Sequence, residues 1–331
     1  MATTVTILGG GAWGTSVATV LAANGHTVKL WCFEPDVVQT ITEKHCNERY
    51  LPGIALSEKI IATANIQEAF SGSTWIFEAT PVKFLRSVLE QCKSLYSKDQ
   101  IWVVLSKGIE NETLLLPTGI IDSVFETQVK KAVVAGPSFA HDLAQQQPTA
   151  TTIAADDEVI GKELQALLAN NYFRPYLSHD VLGVQLGGAL KNILALGIGM
   201  LDGAGFGDNT KLFLFMNGLR EMVTFAKKLG AQPQTMYGFS GIGDLVLTAM
   251  GSRSRNLLVG KRLGQGQSLE QILNETGFIP EGINTVRSIH QLCQERNLTL
   301  PVLCGLYEVI FGEKTIEQLL QDLMARPLEL D

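Results

Sequence analysis

Residues 3–14 read Thr3-Thr4-Val5-Thr6-Ile7-Leu8-Gly9-Gly10-Gly11-Ala12-Trp13-Gly14, and the organisation of the chain follows from them. Thr3 to Leu8 has the composition of a buried strand. Glycines then fall at Gly9, Gly11 and Gly14, spaced G-x-G-x-x-G, and a helical run from Thr15 to Asn24 stops at Gly25. The order strand, glycine turn, helix gives this motif its meaning. Gly9 permits the tight turn, Gly11 lets the backbone approach a pyrophosphate, and Gly14 lets helix and strand pack closely. Free N–H groups and the positive dipole end of the helix then attract the phosphates. A dinucleotide cradle is predicted; the competing reading is the same turn in an empty doubly wound domain.

Outward from that turn, the first half alternates β-rich and helical runs. Strands are expected at Thr27–Trp31, Thr74–Ala79, Ile101–Leu105, Ala132–Ala135 and Thr149–Ala154, with stretches such as Val82–Leu95 between them at helical spacing. Such alternation predicts a parallel sheet covered on both faces. Its ligands bind outside the carboxyl ends of the strands. From about residue 180 the strand signals stop, and long helical patterns such as Lys211–Leu229 and Thr285–Glu295 take over. A chain of 331 residues also exceeds what one core usually holds. The expected fold is α/β: a Rossmann-like, doubly wound, mainly parallel domain over residues 1–180, then an all-helical domain over 181–331.

Composition narrows the function. Hydrophobic residues make up 46% and charged residues 18%, as in a well-packed globular protein. A net charge of −7 argues against nucleic acid or an anionic membrane surface as partner, so an anionic substrate needs a local basic site. The five cysteines show neither C-x-x-C nor metal-ligand spacing, which favours a reducing, cytoplasmic setting and no metal. The N-terminus has no basic residues ahead of its apolar run, so no signal peptide is expected. Val181 to Leu201 is long enough to span a bilayer. Gln185, Lys191 and Asn192 near its middle, with Asp180 and Asp202 at its ends, instead predict a core helix and no integral membrane association.

Strand ends carry the next candidates. Phe33-Glu34 closes the second strand, about twenty residues beyond the glycine turn. An acidic residue there accepts hydrogen bonds from the adenosine ribose and repels a 2′-phosphate, so Glu34 favours NAD over NADP. Phe33 suits stacking on the adenine; ordinary loop polarity is the alternative. Ser106-Lys107-Gly108 places a cation after the fourth strand, and Gly136-Pro137-Ser138-Phe139-Ala140 offers backbone N–H groups and a hydroxyl after the fifth. Each alone reads equally well as a solvated loop.

The stretch Leu186-Gly187-Gly188-Ala189-Leu190-Lys191-Asn192 is the most chemically loaded. On a helix, Leu190, Ile193, Leu194, Gly197, Ile198 and Leu201 form an apolar stripe. Lys191 lies off it, beside Gly187, Gly188 and Ala195, small residues expected to leave room for a ligand. Such a lysine either snorkels to water or does acid–base chemistry, and the pattern leaves both open. Asp244 can pair with it. In Ser252-Arg253-Ser254-Arg255-Asn256, Arg255 can hold a phosphate through two parallel hydrogen bonds, with Ser254 and Asn256 adding donors. A solvated arginine loop is the alternative. The five histidines show no metal spacing and no Ser/His/Asp order, which leaves Lys191 as the best proton donor.

In this order the motifs resemble NAD(P)-dependent glycerol-3-phosphate dehydrogenases along nearly the whole chain, and within them the bacterial, phospholipid-supplying branch. The resemblance implies Lys191 as the catalytic lysine and Asp244 as its acidic partner. It implies a phosphorylated three-carbon substrate held by Lys107, Gly136, Ser138, Ser254, Arg255 and Asn256. Nucleotide contacts are implied for Ala12, Trp13, Phe33, Lys107, Ala140, Arg255, Ile279 and Glu281, the last two in a segment that residue chemistry alone does not single out. The implied reaction is hydride transfer from NAD(P)H to dihydroxyacetone phosphate, giving sn-glycerol 3-phosphate, in a cytoplasmic homodimer. One departure stands out: bacterial members often carry a basic or histidine residue just after the second strand, whereas Trp31-Cys32-Phe33-Glu34 looks more like NAD-linked eukaryotic relatives. Two rival readings stay open. A β-hydroxyacid dehydrogenase of the 6-phosphogluconate type shares the two-domain plan and a lysine–asparagine pair. A non-catalytic dinucleotide sensor needs the fingerprint, but not Lys191, Asp244 and Arg255 together.

Overall fold

The computed structural model describes residues 2–312 and 314–327. The chain forms two compact units, one from the residues through Lys107 with Leu115–Gln185, the other from Gly108–Leu114 with the chain from Leu186 onward.

The first unit is built on β1 (Thr4–Leu8), β2 (Thr27–Trp31), β3 (Cys46–Asn47), β4 (Leu51–Ala55), β5 (Ile60–Thr63), β6 (Trp75–Glu78), β7 (Ile101–Val104), β8 (Lys131–Ala135), β9 (Thr149–Ala155) and β10 (Phe173–Ser178). Eight of them form one sheet in the order β10-β9-β8-β7-β6-β1-β2-β5. Strands β5, β2, β1, β6, β7 and β8 run parallel, and β9 and β10 run the other way. The doubly wound, mainly parallel α/β fold is therefore present, and all six strands expected from sequence form. Sequence reasoning missed β5, β10 and the β3–β4 hairpin. β10 carries Pro175 and β5 has four residues, both marks of edge strands, whose patterns are weak.

Alternation along the parallel strands feeds two apolar layers. Val5, Ile7, Val28, Leu30, Phe77 and Val103 pack with Val17, Leu21 and Leu164 on one face. Leu8, Ile76, Trp102 and Val104 pack with Leu85, Leu89 and Ile121 on the other.

Among the described residues the second unit's regular elements are all helices. The helix Val181–Gly203 has an apolar 18-residue window that is 94% buried, as in the core helix of a globular protein. Close approach explains its glycines. A Cβ on Gly199 or Gly203 would collide with the carbonyls of Leu257 and Lys261, and one on Gly260 or Gly264 with those of Leu196 and Met200. The helix Arg255–Gly264 is thereby seated backbone to backbone on the central helix, which fixes the position of Ser254-Arg255-Asn256 at its start.

Candidate active site

The glycine turn has the geometry its spacing predicts. Gly9 sits at φ 123°, and a Cβ there would come within 2.8 Å of the Ala79 carbonyl oxygen. A Cβ on Gly14 would collide with the Gly9 carbonyl, so helix and strand meet at this point. Gly11 is different: nothing of the protein lies within 4 Å of the position its Cβ would take. The helix begins at Ala12, three residues ahead of the expected start, so its N–H groups face that open cradle. The indole Nε1 of Trp13 is buried without a hydrogen-bond partner. A cradle open at Gly11 and a buried donor still unsatisfied beside it fit a bound pyrophosphate-containing molecule.

Asn47, fully buried in β3, braces this turn. Its Nδ2 donates to the Gly10 carbonyl and to Thr15 Oγ1, both at 2.8 Å, and its Oδ1 accepts from the Tyr50 backbone N–H at 3.1 Å. Sequence reasoning missed Asn47, since nothing local marks an asparagine that acts on a turn more than thirty residues away. At the end of β2, Phe33 is 78% exposed, as a stacking platform must be. The Glu34 carboxylate already accepts from the Tyr50 hydroxyl at 2.6 Å, a second partner that sequence did not reveal.

The ends of β7 and β8 converge. Lys107 Nζ and the Ser138 hydroxyl both donate to the Gly136 carbonyl, at 3.4 and 3.0 Å. Gly136, at φ 152°, lies close against Thr151 Cα, where a side chain has no space. Ala140 opens the next short helix, and its carbonyl accepts from Ser16 of the glycine-turn helix.

In the second unit Lys191 is 7% exposed and Asp244 1%. Lys191 Nζ donates to Asp244 Oδ1 at 2.5 Å and to Thr248 Oγ1 at 2.8 Å. The ammonium does not snorkel; it is held inside. One expectation is corrected: the small residue at Gly187 leaves no room for a ligand, because a Cβ there would press on the Ser240 carbonyl. That close approach carries the turn Phe239–Gly243, and with it Asp244, against the central helix. Thr248 was missed, although it lies one helical turn beyond Asp244, the spacing at which side chains share a face. A buried ion pair adds little net stability, and removing one partner costs about 3–5 kcal/mol. Such pairs with perturbed surroundings are candidates for function.

Around it, Ser254 caps the helix Arg255–Gly264, its Oγ accepting from Leu257 N–H at 3.1 Å. Asn256 is buried and clamps two helices: its Nδ2 donates to Asn192 Oδ1 at 2.9 Å, and its Oδ1 accepts from Gly282 N–H at 3.0 Å. Arg255 is exposed at the first position of that helix, its guanidinium 5.4 Å from the centre of the Phe278 ring. A fork of donors at a helix N-terminus has the chemistry to receive an anion. Ile279, next to Phe278, is 42% exposed, and Glu281 begins the helix Glu281–Arg296.

Family comparisons give this geometry its context. Residues 4–160 match the model of the NAD-dependent glycerol-3-phosphate dehydrogenase N-terminus, and residues 180–321 that of its C-terminus. The chain belongs to the NAD-dependent glycerol-3-phosphate dehydrogenase family. A glycerol-3-phosphate dehydrogenase (NAD(P)+) of Bacillus cytotoxicus is 39% identical over 326 residues, covering 98% of this chain and 96% of the relative. The solved structure of glycerol-3-phosphate dehydrogenase from Coxiella burnetii superposes with a TM-score of 0.94 at 31% identity, covering 98% of this chain and 99% of that one. The Saccharomyces cerevisiae enzyme gives a TM-score of 0.85 at 26% identity, covering 98% and 100%. Membership in the glycerol-3-phosphate dehydrogenase family makes the chain an oxidoreductase that works on a small molecule with a nicotinamide dinucleotide.

Proposed function

We propose that this chain reduces dihydroxyacetone phosphate to sn-glycerol 3-phosphate with NADH, feeding glycerophospholipid synthesis. The observation that carries the reading is the buried Lys191 ammonium, 2.5 Å from Asp244 and 2.8 Å from Thr248. The bound dinucleotide supplies the hydride. Lys191 donates a proton to the C2 oxygen as charge develops on it. Asp244 balances the ammonium charge, and with Thr248 it holds Nζ in one orientation. In a water-poor setting such fixed charges act more strongly than they do in solvent.

Arg255 receives the substrate phosphate, aided by Ser254 and Asn256 of the same helix start, and the family resemblance assigns Lys107, Gly136 and Ser138 to the substrate as well. Gly9, Gly11, Ala12, Trp13 and Gly14 take the pyrophosphate end of the cofactor. Phe33 and Glu34 take the adenosine, and Ala140, Ile279 and Glu281 complete its contacts.

The preference for NADH rests on Glu34. Its carboxylate is steadied by Tyr50, a posture suited to ribose hydroxyls and repulsive to a 2′-phosphate. Wild-type kcat/KM with dihydroxyacetone phosphate is expected to favour NADH over NADPH. Glu34→Arg should shift the ratio toward NADPH by about tenfold or more, since one charge-assisted contact is gained and a repulsion lost. A ratio that stays put in the variant removes Glu34 from the cofactor site.

A further inference from the structure

Glu78 ends β6, and its side chain is completely buried. It lies on the sheet face of Ile76, with Leu8 of β1 and Val104 of β7 as its register neighbours. A carboxyl in an apolar layer is costly unless it is satisfied. Only half of this one is: Oε1 accepts from the Ser106 N–H at 3.2 Å and the Ser106 hydroxyl at 2.6 Å, while Oε2 has no hydrogen-bond partner. No role described above uses it. Three strand ends are knitted at this point, through Ala79 N–H to the Leu8 carbonyl at 2.8 Å and Leu105 N–H to the Glu78 carbonyl at 2.9 Å. The next residue, Ala79, lies under Gly9, and the residue gripped by the carboxyl, Ser106, immediately precedes Lys107.

We propose that Glu78 is a positioning residue for Lys107, its carboxyl clamping the Ser106–Lys107 turn to the end of β6. This role matters to activity only if Lys107 holds ligand, as proposed above. Oε1 accepts from Ser106 in either protonation state, and it is burial that favours the neutral acid. Burial pushes the carboxyl up to about 8, opposed by the Ser106 hydroxyl and by the backbone N–H groups of Ser106, Thr80 and Leu105. No charged side chain contributes. On the neighbouring helix Val82–Cys92, Lys83 and Glu90 are exposed and Arg86 donates to Ser123 at 3.3 Å. On the helix Pro117–Phe125, Asp122 is paired with Lys131 at 2.6 Å, and Glu68 on Ile66–Phe70 accepts from Thr63 at 2.8 Å. The donors of Ser106, Thr80 and Leu105 offset the charge only in part once the proton leaves. Because the folded value lies above the ordinary one, the stability contributed by the buried neutral acid is complete in acid and lost as pH rises through about 8. Above that pH the buried anion, with Oε2 unpartnered, draws the strand end toward water, and the Ser106–Lys107 turn loosens with it.

The test is KM for dihydroxyacetone phosphate between pH 7 and 9, read separately from kcat, in wild type and in Glu78→Gln, Glu78→Val and Lys107→Ala. Glu78→Gln is near-isosteric, keeps an acceptor for Ser106 and has no proton to lose. Wild-type KM should rise about tenfold across this range relative to Glu78→Gln, the scale of one lost hydrogen bond. Glu78→Val, which fills the apolar layer without a clamp, should raise KM about tenfold already at pH 7 with kcat less affected. Superimposable pH profiles for wild type and Glu78→Gln overturn the clamp, as does an unchanged KM in Glu78→Val. Lys107→Ala separates the two claims. A raised KM there, with Glu78 variants like wild type, sinks the clamp alone; an unchanged KM sinks the ligand role of Lys107 itself.

Discussion

Lys191→Ala is expected to lower kcat by about 10²- to 10⁴-fold, the usual contribution of a positioned general acid. NADH binding, which draws mainly on the glycine turn of the first unit, should be largely retained. Two consequences of the substitution have to be separated. The proton donor is lost, and Asp244 is left as an uncompensated buried charge, which costs about 3–5 kcal/mol of stability. The rate is therefore measured beside a thermal melt and a fluorescence titration with NADH. Asp244→Asn is the companion variant, because its amide oxygen still accepts from Lys191 Nζ while the balancing charge is gone. A folded Lys191→Ala protein with wild-type turnover removes the lysine from the chemistry.

Arg255→Ala should raise KM for dihydroxyacetone phosphate by about 10- to 100-fold, as hydrogen bonds to a charged group are worth about 1.5–3 kcal/mol. The fold should tolerate it, since the guanidinium is exposed and rests only against the Phe278 ring among its described contacts. Arg255→Lys keeps the charge and loses the fork, so it should recover only part of the loss. Unphosphorylated dihydroxyacetone is the internal control: whatever weak turnover it supports should be indifferent to either change. A KM for the phosphorylated ketone that does not move places the phosphate elsewhere.

What sequence made legible was local. Gly9, Gly11 and Gly14 act within one turn, and their spacing told of it. Lys191, Asp244 and Arg255 were visible as charged residues in unusually apolar or serine-rich company. The supports of these residues were not visible, because each acts across a long stretch of chain. Asn47 braces Gly10 and Thr15, Tyr50 steadies Glu34, and Glu78 holds Ser106. No periodicity marks such pairs. The Gly187 expectation failed for a related reason. A helix with one polar face leaves its glycines free for ligands, but Val181–Gly203 is covered nearly all round, and its glycines admit other backbone instead. Asn256, read as a phosphate donor, also ties Asn192 to Gly282 through its amide, and these two bonds use only one of its two N–H groups.

The most direct test of the whole account is the initial rate of NADH oxidation by the purified chain, offered dihydroxyacetone phosphate, unphosphorylated dihydroxyacetone or a six-carbon phosphorylated hydroxyacid with NAD+ in the reverse sense. Turnover is expected with dihydroxyacetone phosphate, yielding sn-glycerol 3-phosphate, with little from the unphosphorylated ketone and none from the hydroxyacid. Absence of oxidation dependent on dihydroxyacetone phosphate, or faster turnover of the hydroxyacid, would contradict it.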